Sequence, residues 1–140
     1  MSPTQLASVS AALRHLRDAE ALLVPSPDQA WHVVGFAPEC IRKACLRDRM
    51  FDKVLGHDWT PASEAMLEVA VSLDAPASRF QLSGWAATEP SLLAWAPGHR
   101  YDRTGKHAAG ARELVAACGR LVRRVWADLW MDGALIDGAL

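Results

Sequence analysis

Apolar residues recur by threes and fours along most of this chain, the spacing that gathers them on one face of a helix. Near the start, Leu6, Val9, Leu13, Leu16 and Leu23 form one such stripe, with Arg14, Arg17 and Asp18 off it. Ser2-Pro3-Thr4-Gln5 marks where that helix begins. It offers a serine N-cap, proline at the first helical position and glutamine at the third, the spacing of a capping box. Pro25 stops it. Ser26-Pro27-Asp28-Gln29 repeats the grammar and opens a second helix, with Ala30, Val33, Val34, Ala37, Ile41 and Ala44 inward. Arg42, Lys43 and Arg47 fall outward or at its edge. Pro38 interrupts this pattern: it has no N–H for the Val34 carbonyl and its ring crowds that carbonyl, which predicts a bend over residues 35–38. The second helix is then predicted to run to about Val54, with Gly56 as its exit.

Thr60-Pro61 marks a third start, and residues 65–73 continue it until Asp74-Ala75-Pro76. Residues 77–103 are the least regular. Gly84, Pro90, Pro97 and Gly98 punctuate them, leaving room for short helices near residues 79–85 and 90–95. The last helix has the clearest signature: Ala111, Leu114, Cys118, Leu121, Val125 and Leu129 alternate threes and fours over about six turns. It should begin between Thr104 and His107 and fade before Gly133. The expected fold class is all-α: a single domain over residues 1–140, built as an up-and-down bundle of four main helices. One or two short extra helices precede the last long one.

Composition narrows the function classes without choosing among them. A charged fraction of 22% and a hydrophobic fraction of 51% exclude a disordered chain. The formal net charge of −1 supplies no whole-protein field to attract nucleic acid or anionic lipid. The first residues do not read as a signal peptide, and no uncharged apolar run is long enough to span a membrane. Cys40, Cys45 and Cys118 form no even disulfide framework and read as reduced thiols of a cytoplasmic protein.

One stretch of the second helix is more specific. His32-Val33-Val34-Gly35-Phe36-Ala37-Pro38-Glu39-Cys40-Ile41-Arg42-Lys43-Ala44 resembles the helix-two signature of HEPN-domain proteins, H-x-x-G-x-A-x-E-C-x-x-K-A. Pro38, Arg42 and Trp59 depart from the commonest form of the pattern. Other landmarks fall in the family's order: His15-Leu16 and Asp18-Ala19 on the first helix, Gly56-His57-Asp58 after the second, and Arg100-Tyr101 before the last. The resemblance implies a small helical bundle, usually a homodimer. Some members of the family are metal-independent ribonucleases of toxin–antitoxin and defence systems. Others pair with nucleotidyltransferases or bind RNA or nucleotides without catalysis.

For this chain the resemblance implies a non-catalytic module that binds a nucleotide, RNA or a partner protein. A nucleotidyltransferase or a biosynthetic enzyme is the kind of partner implied, and no cofactor and no metal. The alternatives are a metal-independent endoribonuclease and a purely structural accessory subunit. In ribonuclease members an arginine and a histidine stand a few residues apart. Histidine exchanges the proton of the ribose 2′-hydroxyl, and arginine stabilises charge on the phosphorane. Arg100 and His107 are the pair here, and Gly105 between them makes a shared helix doubtful.

Tyr101, Arg103 and Lys106 complete the candidate ligand-binding run, with His32, Glu39 and Lys43 from the second helix. Glu39 and Lys43, four apart, are either a surface ion pair, a partly buried link to a neighbouring helix, or a ligand contact. His32, seven residues before Glu39, is placed to join that polar patch or to be an ordinary core or solvated histidine. His99 and His107 are eight apart across a turn and carry no metal-ligand spacing. Arg112, Arg120, Arg123 and Arg124 form a basic stripe on the last helix, either a solvated face or, with Arg100, Arg103 and Lys106, an anion groove. Trp126 and Trp130 read as core or dimer packing.

Overall fold

A computed structural model describes residues 1–47, 56–57 and 59–135. Among them every regular element is helical and there is no strand. The helices are α1 (Pro3–Leu22), α2 (Pro27–Val34), α3 (Phe36–Cys45), α4 (Pro61–Leu73), α5 (Trp85–Thr88) and α6 (Ala108–Met131). Three 3-10 turns, Ala77–Arg79, Pro90–Ala94 and Pro97–Tyr101, fill the irregular region. No described helix is long and apolar enough to cross a membrane.

The first capping box forms as read: the Ser2 side chain accepts from the Gln5 N–H, and the Gln5 side chain accepts from the Ser2 N–H. The second does not. Ser26 precedes α2 but makes no side-chain cap, and the adjacent Asp28 carboxylate reaches instead to residues 105 and 107. The expected bend is an interruption of the helix: α2 ends at Val34 and α3 begins at Phe36, with Gly35 between them still in right-handed helical backbone. Pro38 weakens the helix there, and Gly35 admits a neighbour, because a Cβ at Gly35 would lie inside the indole of Trp95. The continuation to Val54 is corrected. Helix α3 ends at Cys45, where Leu46 turns to extended backbone, and Val54 lies outside the described residues. Asp74 holds this exit by accepting the Arg47 N–H at 2.7 Å.

The core joins α1 to α2 and α3, and all three to α6. Val9, Ala12, Leu16 and Ala19 of α1 meet Ala30, Val34, Ala37, Ile41 and Ala44, and the α6 stripe is buried from Ala111 through Leu129. The alanines in this set let backbones approach closely. Cys45 and Cys118 are buried free thiols within it, and Cys40 is part-buried. Helix α4 begins at the Thr60 cap as expected, and buries only Leu67 and Ala70. The short helix expected over residues 79–85 is not there. The chain turns earlier, at Ala77–Arg79, and α5 starts at Trp85 after Gly84, whose positive φ of 75° needs glycine.

Arg42 is the clearest departure from the helical-face reading. Its guanidinium lies 4.3 Å from the Trp59 ring and 4.2 Å from the Trp85 ring, and it donates to Glu64 at 2.6 Å. It is buried, not outward. A cation can be buried when aromatic faces and a carboxylate replace its water.

Candidate functional site

Three segments far apart in sequence build the site. Helix α2 supplies Asp28, Trp31 and His32. The turn Pro97–Tyr101 supplies His99 and Arg100, and the chain then passes Asp102 and Arg103 to His107, the residue that caps α6. The Asp28 carboxylate ties the first segment to the last, accepting the Gly105 N–H at 2.5 Å and the His107 N–H at 2.9 Å. Those bonds hold the Asp28 carboxyl below the ordinary range. Gly105, at φ 89°, makes the reversal that lets one carboxylate reach both amides.

Trp31 is the floor. Its ring stacks on His107 at 4.9 Å, and His107 stacks on His99 at 4.6 Å. Gly110, in the first turn of α6, leaves room for the indole, since a Cβ there would come within 2.8 Å of it. His107 Nε2 lies 2.7 Å from Asp102 Oδ2, and Lys106 Nζ reaches the same oxygen at 3.0 Å. Both bonds hold Asp102 in its ionised form, below the ordinary carboxylate range. His99 Nδ1 accepts the Ala96 N–H at 3.2 Å, so neutral His99 carries its proton on Nε2. Burial lowers the pKa of His99, and the nearby His107 adds to the shift. Burial likewise lowers His32, followed by the charge of Arg100 and then His99.

Asp28, His32, His99, Asp102 and His107 are among the residues lining a pocket of about 210 Å³, with Trp31 stacked behind His107. Of the residues expected at the site, Arg100, Arg103, His32 and His107 face it. Arg100 and His107 converge although no helix carries both, because the intervening loop folds back onto Asp28. Tyr101 stands outward, 78% exposed, with the Arg100 guanidinium 4.6 Å from its ring. Lys106 is at the rim on Asp102.

Glu39 and Lys43 are elsewhere. They pair at 2.5 Å, and the other Glu39 oxygen lies 2.8 Å from His57 Nδ1. The cavity beside them, about 20 Å³, holds nothing larger than a water. Glu39 is part-buried, but its partners are Lys43 on its own helix and His57 in the segment that follows, so no bond to a neighbouring helix is formed. His32 does not join them. His32 lines the pocket with His99 and Arg100, whereas Glu39 and Lys43 lie beside the other cavity. The α6 stripe does not line the pocket either: Arg120 pairs with Glu89 through two bonds of 2.7 Å, Arg123 pairs with Glu20, and Arg124 donates to the Gln81 carbonyl.

Sequence reasoning gave Asp102 and Trp31 no role, placed Asp28 only in a helix start, and weighed His99 only as a metal ligand beside His107. His99, Asp102 and His107 bring ligand-type atoms within 4.8 Å of one another, a set able to hold a metal ion. The surroundings favour an anion. Neutral His99 presents an N–H rather than a lone pair at Nε2, and Lys106 and two arginines crowd the same space. Comparison with family models, curated proteins and solved structures finds no match to this chain.

Proposed function

We propose that this protein is an HEPN-like up-and-down helical module, acting as a homodimer, that binds a phosphate-bearing ligand, a nucleotide or RNA, in the histidine-rich pocket. One observation carries the reading: Arg100, Arg103, His32, His99 and His107 converge on one pocket. Among the described residues neither arginine there is paired with a carboxylate. Unpaired guanidiniums beside N–H-bearing imidazoles are the chemistry that holds phosphate oxygens. Trp130 and Met131, exposed at the end of α6, support a second copy of the chain as partner.

Binding without cleavage is the first reading because of how His107 is held. Its Nε2 is engaged by Asp102, its ring packs on Trp31 and His99, and its side chain is only 13% exposed. A general base must reach a ribose hydroxyl, and this imidazole is enclosed. The second reading, metal-independent ribonuclease, is favoured by that same Asp102–His107 bond, since a carboxylate fixes the orientation of an imidazole, with Arg100 at hand for a phosphorane.

The test is fluorescence polarisation with labelled RNA in the presence of chelator, read alongside cleavage on a gel. Arg100→Ala should weaken binding about tenfold or more, the loss of one charge-assisted hydrogen bond, and lower the slope of log affinity against log salt by about one. No binding by the wild type, or no effect of Arg100→Ala, overturns the reading. Metal-independent cleavage abolished by both Arg100→Ala and His107→Ala promotes the ribonuclease.

A further inference from the structure

The five histidines of this chain come from five separate segments, and they fall into two linked groups, one in the pocket and one around Phe36, with His32 in both. His107 and His99 stack in the pocket. His32 shares that pocket and presents its ring at right angles to Phe36, 5.4 Å away. Phe36 in turn has His15 at 5.9 Å and His57 at 6.4 Å. Trp95, seated in the space that Gly35 leaves, supports Phe36 edge-on at 5.0 Å and fixes the strip to the pocket by donating to the His32 carbonyl at 3.2 Å. No described ring lies parallel on Phe36, and the ring is only part-buried.

We infer that Phe36, flanked by His15 and His57, is a base-stacking platform beside the phosphate pocket, and that the ligand is single-stranded nucleic acid at least two nucleotides long. This rests on the pocket reading above. The pocket supplies what a phosphate needs: two guanidiniums and imidazole N–H groups. The strip supplies what a base needs, flat rings with little net charge, because Glu39 there is balanced by Lys43. His32 lines the pocket and its ring lies 5.4 Å from Phe36, so the platform is one side chain away from the phosphate position. A phosphate held at Arg100 therefore delivers a neighbouring base to Phe36. A duplex does not fit this arrangement, since its bases are already stacked on one another.

The experiment compares inorganic phosphate, a mononucleotide, single-stranded rU8 and dT8, and a blunt RNA duplex as ligands. It uses the wild type, Phe36→Leu, Phe36→Trp, His57→Gln and Arg100→Ala. Wild type should bind the octamers at least about fivefold more tightly than the mononucleotide, and the duplex less tightly than either octamer. Phe36→Leu keeps apolar volume and should erase the octamer advantage while leaving the affinity for inorganic phosphate, which carries no base, unchanged. Phe36→Trp should restore the advantage, and His57→Gln should reduce it. Similar binding of rU8 and dT8 identifies recognition through base faces, and preference for rU8 adds a 2′-hydroxyl contact to the same platform.

The inference is overturned if octamer and mononucleotide bind alike, if the duplex binds best, or if Phe36→Leu binds octamers like wild type. Failure of the pocket reading looks different: no ligand binds, or Arg100→Ala changes none of the affinities. Circular dichroism on each variant separates loss of the platform from loss of the fold.

Discussion

Arg42 and Arg100 each place a guanidinium against aromatic rings, in regions with opposite surroundings. Arg42 is enclosed by Trp59 and Trp85 and answered by Glu64 at 2.6 Å. Burial pushes its pKa down to about 10, with Glu64 opposing the shift, so it stays charged at neutral pH. Glu64 is itself satisfied on its second oxygen by the Gly84 N–H at 2.9 Å. Arg100 is exposed, rests on Tyr101, and has no carboxylate partner among the described residues. A cation whose charge is fully answered inside the protein ties helices together and has nothing left for a ligand. A cation answered only by a phenol ring remains available to an anion from outside.

The sharpest break in that comparison is stability. Arg42→Ala should cost about 3 kcal/mol in urea unfolding, because it leaves Glu64 part-buried without its cation and opens a space between two indoles. Arg100→Ala should cost less than about 0.5 kcal/mol while removing ligand affinity. Equal losses from the two would show that Arg100 is also structural.

The next effect is smaller and touches both roles. Gly35→Ala puts a methyl where the Trp95 indole sits, so about 2 kcal/mol of stability should be lost. Ligand affinity should fall as well, because Trp95 holds the His32 carbonyl. A variant with wild-type stability would mean the indole shifts freely.

Asp28→Ala should act locally. Hydrogen exchange at the Gly105 and His107 amides should become roughly tenfold faster while the middle of α6 keeps its protection. Uniform acceleration along α6 would show that the carboxylate supports the whole helix instead.

The smallest effect is the pH response, and it has opposite signs for binding and for stability. His32 and His99 have pKa values below the ordinary 6.5 in the folded chain, so the unfolded chain binds protons more readily. Stability from these groups is fully present above pH 6.5 and declines as the pH falls through the folded values. Phosphate affinity rises over the same interval, by a few-fold, as the two imidazoles gain charge beside Arg100 and Arg103. Melting and binding titrations between pH 7.5 and 5 check both, and affinity that falls with acid would count against histidine contacts.

The sequence made the first and last helices legible, because a capping box and an uninterrupted apolar stripe are local signals. The interruption near Pro38 was legible for the same reason. The need for glycine at position 35 was not, since Trp95 is 60 residues away. Arg42 read as outward because periodicity assigns charges to the solvent face, and its partners Trp59, Glu64 and Trp85 stand on other segments. At the site, Arg100 and His107 were within reach of motif reading. His99 and Trp31 were not, because ring stacking leaves no sequence spacing. Asp28 was read as part of a cap for its own helix, whereas its bonds lie 77 and 79 residues on.

That last separation bears on how the chain comes into being. During synthesis α1 to α3 emerge with their apolar faces already able to meet, and Asp28 waits with no amide to hold. Only when residues 105–107 have left the ribosome can the loop be drawn back and the three rings brought together. The histidine-rich pocket is thus closed late in synthesis, and the ligand proposed for it would have no complete site before residues 105–107 are in place.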